Sequence, residues 1–305
     1  MKSFHKSFRT PSFLALAVAA ALAGCAATQD AGHSAMNMVK SATGQAQVVR
    51  QDVAPALYQV AYSPSENVVY AVSAGNPKDP ASGVKSKLFK LDPETLAVKA
   101  EIELPKPGYG LTLDDEAHRL YIVDTRGGTL MVYDTTLGQV TSSVTMPPVL
   151  DAQGKPEKIE YREIVVDKAN NRLYLPAMSY HDSKLQVVNL DTLTVERTIP
   201  GFNFGATGIS MDSGAGKLYV SNLMGQLFVV DIGTLAITDR FEVQGDQLLN
   251  LVVDHDNKRL LAVDQGFDRL DVVRKERGGL NYQTRTQGNQ VLALDPSSGK
   301  VLQNI

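Results

Sequence analysis

The chain has one cysteine, Cys25, and no tryptophan among its 305 residues. A single thiol near the N-terminus excludes an internal disulfide and removes thiol catalysis from everything downstream. No C-x-x-C-H segment is present to attach haem. No glycine-rich phosphate loop follows a strand and opens a helix, and no G-x-S-x-G nucleophile elbow occurs. The apolar run from Phe13 to Ala21 is about nine residues long, against the roughly 20 that a spanning helix needs. Neither sign of charge dominates: 30 basic residues face 33 acidic ones, for a net charge of −3. Such a balance offers nucleic acid no general attraction.

What is present begins with an export signal. Lys2, Lys6 and Arg9 precede the Phe13–Ala21 run, and the segment ends in Leu22-Ala23-Gly24-Cys25, which resembles a bacterial lipobox. Residues 1–24 therefore read as a lipoprotein signal and Cys25 as the acylated residue that holds the chain on a membrane. Ala26, rather than Asp, follows the cysteine, which points to the outer membrane, on its periplasmic side. Removing the signal takes away three bases and no acid, so the net charge falls from −3 to −6. Residues 25–52, rich in Ala, Gln, Ser and Thr, read as a flexible tether. GQAQVVRQDV at its end is expected to add one strand.

From about residue 53 the chain repeats. One half-unit reads LTLDDEAHRLYIVD, IVVDKANNRLYLPA, ISMDSGAGKLYVSN and LVVDHDNKRLLAVD, with a looser first copy, VAYSPSENVVYAVS. The other half reads KLFKLDPETLAV, TLMVYDTTLGQV, KLQVVNLDTLTV, QLFVVDIGTLAI and NQVLALDPSSGKV. Each is a pair of β-rich runs around a polar turn. Tyr70, Tyr121, Tyr174 and Tyr219 recur at spacings of 51, 53 and 45, and Leu261 follows after 42. Four strands in about 40 to 50 residues, repeated in phase, predict an all-β chain of WD40/YVTN-like propeller blades, five of them visible over 53–305. In the turn between strands three and four, Asp295 is matched with Asp92, Asp134, Asp191 and Asp231. The absence of Trp argues against quinoprotein dehydrogenase propellers and their Trp-docking motifs.

YQVAYSPSENVVYAV, KLFKLDPETLAV, YREIVVDKANNRLYL, TGISMDSGAGKLYVSN and LNLVVDHDNKRLLAVD together resemble the YncE-like family of periplasmic seven-bladed propellers. The resemblance implies seven blades, and two more at about 42 residues each would carry the chain to about 390. Five blades are thus expected either as an incomplete set or as a ring closed by GQAQVVRQDV. The family resemblance also implies DNA as a partner to be considered.

In a propeller the loops leading into the inner strands share a face with the turns between strands two and three, and that face is where ligands are expected. The lead-in loops offer Tyr109, Arg162, Asn203, Phe204 and Asn250. The ends of the second strands offer Ser73, Asp124, Asn222 and Asp264, with Arg126 beside them. Arg162 is the strongest candidate, a bidentate donor for carboxylate or phosphate, unless Glu160, Glu163 or Asp124 pairs with it. Asp124, Asn222 and Asp264 have a second reading as caps of their own turns. Of the five histidines only His181, next to Asp182, is placed to reach this face, and one histidine falls short of the three or four ligands of a zinc site. No metal or other cofactor is expected.

Two basic loops stand apart. One carries Lys78, Lys85 and Lys87. The other, within residues 265–289, carries Arg269, Arg274, Lys275, Arg277 and Arg285 with Phe267 and Tyr282 interleaved, and reads either as a solvated loop or as a single-strand nucleic-acid contact. Three functions follow: a monomeric scaffold for a periplasmic ligand or protein, which leads; a binder of single-stranded nucleic acid through Lys85, Lys87, Arg274, Lys275, Arg277, Tyr282 and Arg285; and a lyase or hydrolase built on Arg162, Asp124 and His181.

Overall fold

The computed structural model describes residues 49–305 other than 77, 267 and 268. The signal peptide, Cys25 and most of the tether lie outside the described residues, as do residues 44–48 of the expected extra strand. Residues 49–53 form no strand.

Asp52–Ile305 is one compact unit of five antiparallel sheets in a propeller arrangement. Blade 1 comprises β1 (Leu57–Ser63), β2 (Val68–Ser73), β3 (Lys87–Leu91) and β4 (Val98–Glu103). Blade 2 comprises β5 (Gly108–Asp114), β6 (Arg119–Asp124), β7 (Thr129–Asp134) and β8 (Gln139–Thr145). In blade 3 the inner strand breaks into β9 (Glu160–Tyr161) and β10 (Val165–Asp167), followed by β11 (Arg172–Met178), β12 (Lys184–Asn189) and β13 (Val195–Ile199). Blade 4 is β14 (Ala206–Asp212), β15 (Lys217–Asn222), β16 (Gln226–Asp231) and β17 (Ala236–Glu242). Blade 5 is β18 (Leu248–Asp254), β19 (Arg259–Asp264), β20 (Gln290–Leu294) and β21 (Val301–Asn304), with helix α1 (Leu270–Gly278) between β19 and β20.

Alternation along the second and third strands explains why the blades stack. Tyr70, Tyr121, Tyr174 and Tyr219 each face the following blade, and the residues on either side of them face the preceding one. Val68, Tyr70, Val72 and Leu88 thus meet Leu120 and Ile122 between blades 1 and 2. Tyr219, Leu227 and Val229 meet Leu251, Leu260 and Leu292 between blades 4 and 5. Leu261 holds the tyrosine position in blade 5, and on the same face Val252, Val263 and Ile305 are exposed. The opposite free face, Ala71, Phe89 and Leu91 of blade 1, is packed by Val53 and Ala54.

The turns repeat as closely as the core. Asn67, His118, Asn171, Gly216 and Lys258 all take positive φ between the first two strands of their blades. Leu96, Gly138, Leu193, Leu235 and Gly299 do so between the last two. Leucine resists this conformation by about 1–2 kcal/mol, so something must hold the turn. The Asp92 side chain does it in blade 1, accepting from the backbone N–H of Glu94 and Thr95. In blade 3 the matching acceptor is Asn189, bonded to the N–H of Asp191 and Thr192 at 3.0 Å each. Asp191 is therefore not the counterpart of Asp92; the turn needs a side-chain oxygen at that place, and asparagine supplies it as well as aspartate.

Candidate functional site: the channel mouth and its cap

Every inner strand changes register at its start. The shifts fall between Leu57 and Gln59, Gly108 and Leu111, Ala206 and Ile209, and Leu248 and Leu251, while in blade 3 the strand is interrupted across residues 162–164. A bulge frees residues from the ladder and re-aims their side chains. Repeated five times around an axis, it builds two rings. The upper ring is Tyr58, Tyr109, Arg162, Thr207 and Leu249. The lower ring is Gln59, Gly110, Glu163, Gly208 and Asn250.

The lower ring joins blades through side chains. Gln59 Oε1 accepts from the Leu111 N–H at 2.9 Å, and Glu163 Oε2 accepts from the Ile209 N–H at 2.9 Å. Both bonds cross to the next blade over a glycine. A Cβ at Gly110 would stand 2.7 Å from the Arg162 carbonyl oxygen, and one at Gly208 2.7 Å from that of Leu249. The two glycines thus let blade 2 approach blade 3 and blade 4 approach blade 5 on the side away from these bonds. Asn250 Nδ2 donates to the other oxygen of Glu163. Glu163 is only 4% exposed. Burial drives its carboxyl up to about 8, and the hydrogen bonds from Ile209 and Asn250 offset only part of that rise. Gln59, Glu163 and Asn250 border a cavity of about 380 Å³ lined by residues of all five inner strands.

In the upper ring the rings of Tyr58 and Tyr109 stand edge to face, with centroids 5.0 Å apart. Burial raises the pKa of both hydroxyls. Arg162 donates to Glu160 through Nε at 3.1 Å and Nη2 at 2.5 Å. Burial pulls the guanidinium pKa down, but Tyr58 and Glu160 more than reverse this, so it stays firmly charged. The anion site expected at Arg162 is thereby occupied by its own neighbour. Arg126 is exposed and has no ion pair among the described residues. A second cavity of about 280 Å³ lies beside it, lined by Ala56, Leu57, Tyr58, Ala74, Lys78 and Tyr109.

The other expected positions are built into the frame. Asp124 accepts from the Arg126 N–H at 3.0 Å, and Asn222 Oδ1 accepts from the N–H of Met224 and Gln226. Ser73 accepts from the Gly75 N–H, and Asp264 accepts from the Gln247 N–H at 3.1 Å. All four are buried; Ser73, Asp124 and Asn222 cap their own turns, whereas Asp264 holds the lead-in loop of blade 5 together with Thr286 and Gln290. Phe204 is also buried, because it supports helix α1, and Asn203 donates to Gln226 at 2.8 Å. His181 is exposed, and no contact joins it to Arg162 or Asp124 among the described residues. No cluster of three His, Cys, Asp or Glu side chains occurs among those residues.

The segment expected as a solvated basic loop is a folded cap. Helix α1 ends on Gly279 at φ 64, whose N–H returns to the carbonyls of the last turn. Arg274 has no exposed side-chain surface. It donates to the Leu223 carbonyl, to Asp271 at 3.0 Å and to Thr284 at 3.0 Å, and its guanidinium lies 4.2 Å from the Tyr282 ring centroid. Arg285 stacks on the same ring and pairs with the buried Asp246 at 3.3 Å. Arg277 donates to Tyr180 Oη at 2.7 Å. Burial raises the Asp246 pKa, but hydrogen bonds from Tyr282 and the Thr286 and Arg285 amides outweigh it and keep this carboxyl below the usual range. The cap therefore spans the upper loops of blades 3, 4 and 5 and leaves the Tyr58–Tyr109–Arg126 sector open. The nucleic-acid set is dispersed: Arg274 is buried, Tyr282 is held between two arginines, Arg285 is paired, and Lys85 and Lys87 face Glu103 and Glu101 at 3.8 and 2.6 Å. Of that set Lys275 alone is exposed without a contact among the described residues.

Four-stranded blades repeated about a channel, with polar side chains turned into it by bulges, define a β-propeller. The chain is 24% identical over 257 residues to the protein named YncE of Salmonella typhimurium, covering 82% of this chain and 70% of the relative. It is 25% identical over 241 residues to YncE of Escherichia coli strain K12, covering 77% and 66%. The chain is a β-propeller whose sequence is similar to these YncE proteins over most of its length. No family model matches the chain. Among solved structures, that described as "Crystal structure of Nidogen/Laminin Complex" superposes with a TM-score of 0.57 at 14% identity, over 82% of this chain and 81% of that one. The β-propeller domain of Myceliophteria thermophila Cps50 (Swd1) gives 0.53 at 12% identity, over 72% and 65%. Both likenesses concern the fold alone. No helix among the described residues is long and apolar enough to cross a membrane.

Proposed function

We propose that the chain is a non-enzymatic binding propeller, held at the periplasmic side of a bacterial outer membrane by a lipid on Cys25. Its ligand or protein partner sits on the uncapped sector of the upper face. The observation that carries this reading is the pairing of Tyr58 and Tyr109 beside an apolar cavity, with Arg126 exposed and free of ion pairs among the described residues. Aromatic side chains bring large contact area at small entropic cost, and an arginine near them fixes orientation. The groups a propeller enzyme would use are committed elsewhere: Arg162 to Glu160, and Asp124 to its own turn.

The test is a thermal-shift screen of a small-molecule and peptide library on the full chain. Hits are expected to lose affinity at least about tenfold in Tyr109→Ala and Arg126→Ala, and to keep it in Lys300→Ala on a remote turn. Hits that ignore both upper-face changes would sink the reading. The anchor is checked separately by labelled palmitate, whose incorporation is expected to vanish in Cys25→Ala.

A further inference from the structure

The buried carboxyl of Glu163 has no cation. It is the one acid of the channel ring, and no Lys or Arg pairs with it among the described residues. Its sequence neighbour Arg162 gives its guanidinium to Glu160 instead. The strands packed around Glu163 bring no compensating charge. β1 contributes Gln59 and the titratable Tyr58 and Tyr62; the lining from β5, β14 and β18 is Leu111, Thr112, Leu113, Ile209, Asn250, Leu251 and Val252, none of which titrates. A lone carboxyl out of water is costly in its charged form and is retained as the neutral acid.

We propose that the channel is a binding site for a small aliphatic ammonium group, with Glu163 as its counter-ion and Val60 and Val252 as the walls for its carbon chain. Those two valines line the cavity from the free faces of blades 1 and 5 and are 63% and 56% exposed, so there is uncovered apolar surface beside the uncompensated acid. Its volume of about 380 Å³ holds roughly a dozen non-hydrogen atoms, taking the ~30 Å³ share of a water molecule as the unit. A guanidinium fits less well. Its planar fork wants two parallel carboxylate acceptors, and here each oxygen already receives one bond, from Ile209 and from Asn250. An ammonium has three donors on one centre and needs only the lone pairs that remain, with the Gln59 and Asn250 amides within the same ring. An anion would meet the acid unfavourably.

The binding step has a defined proton balance. The neutral Glu163 carboxyl loses its proton to solvent as the ligand R–NH₃⁺ enters, leaving a carboxylate–ammonium pair; no other bond forms or breaks. The ammonium can belong to a free amine or to a lysine side chain of a peptide. This site lies below the upper-face sector and deepens the binding reading on which it rests, but the two fail separately, because the upper face is tested with its own hits.

The experiment is calorimetry on the full chain at pH 7 in two buffers of different ionisation enthalpy, PIPES and HEPES. The probes are butylammonium, butylguanidinium, butanoate and Nα-acetyl-lysine amide. Butylammonium is expected to bind with release of close to one proton per ligand, at least tenfold tighter than butylguanidinium, and butanoate is expected not to bind. Glu163→Gln is expected to lose at least tenfold in affinity and all of the proton release. Asn250→Asp, which adds a second acid without removing the first, is expected to tighten butylammonium binding. Binding of the lysine amide at similar affinity assigns the site to a peptide as well as a free amine; its failure beside butylammonium binding assigns it to the free amine alone. Absence of butylammonium binding, binding without proton release, or affinity unchanged in both variants would overturn the proposal.

Discussion

Replacing Arg274 by methionine is expected to release the cap. The side chain is fully buried, and its removal takes the guanidinium donor from the Leu223 carbonyl, Thr284 and Asp271, leaving Asp271 only its bonds from the Thr284 N–H and hydroxyl. Asp271, the other member of the pair, is 43% exposed, so water screens the charge left behind and the lost hydrogen bonds set the cost at about 1–3 kcal/mol, to which the loss of the stack on Tyr282 adds. Methionine preserves much of the volume, so the effect reports the lost fork rather than a void. Because the cap touches the blades through loops, the damage is expected to be local opening, with the five sheets intact. Amide exchange in α1 should accelerate by about one to two orders of magnitude, and thermolysin should cut within residues 269–285 first. Arg274→Lys is expected to resemble methionine more than wild type, since one ammonium cannot reach three acceptors held by a planar fork. An exchange pattern in α1 unchanged in the methionine variant would mean that the guanidinium does not hold the cap.

The second large effect concerns pH. Glu163 titrates at about 8 in the folded chain against an ordinary value of 4.5. Between those values the folded state keeps a proton that the unfolded state has lost, so stability is fully present at low pH and falls as pH rises toward 8. Glu163→Gln keeps an acceptor for the Ile209 N–H and removes the titration. Relative to wild type, the variant is expected to gain on the order of 3 kcal/mol between pH 4 and pH 9, measured by urea denaturation at both ends. A constant difference between the two proteins across that range would show that Glu163 is ordinary. Asp246 acts in the opposite sense. Its depressed pKa gives stability above the ordinary carboxylate range that is lost as pH falls through the folded value, so it leaves the alkaline limb to Glu163.

The blades were legible because their marks are local. A tyrosine that must face the next blade and a turn that must take a positive φ recur whatever the ligand is. The ring positions were less legible, because they sit on the bulges. Counting back from the tyrosine position sets Arg162 level with Leu249, twelve residues before it, and Asn250 level with Glu163, eleven before it; grouping Arg162 with Asn250 as lead-in residues misses that one-residue offset. In the sequence Glu163 stands out only as a neighbour of Arg162; the signal for it is the column Gln59, Gly110, Glu163, Gly208, Asn250, in which glycines alternate with polar side chains. Asn203 and Phe204 fall outside both rings because they lie before the bulge. The cap was hidden by its charge. Leu270, Val273, Arg274 and Arg277 share one helical face, and Gly278-Gly279 end it, but arginine at a core position contradicts the usual pattern of apolar burial.

Residues of five inner strands line the cavity at Glu163, a carboxyl with no cation paired to it among the described residues. Carbon-13 NMR of the full chain with labelled glutamate side chains, followed through pH, reads that carboxyl directly. One carboxyl resonance should titrate near 8, be absent in Glu163→Gln, and move into the ordinary range when butylammonium is added. If every glutamate carboxyl of the folded wild-type chain titrates between about 3 and 5, Glu163 is solvated or paired, and the channel site does not exist.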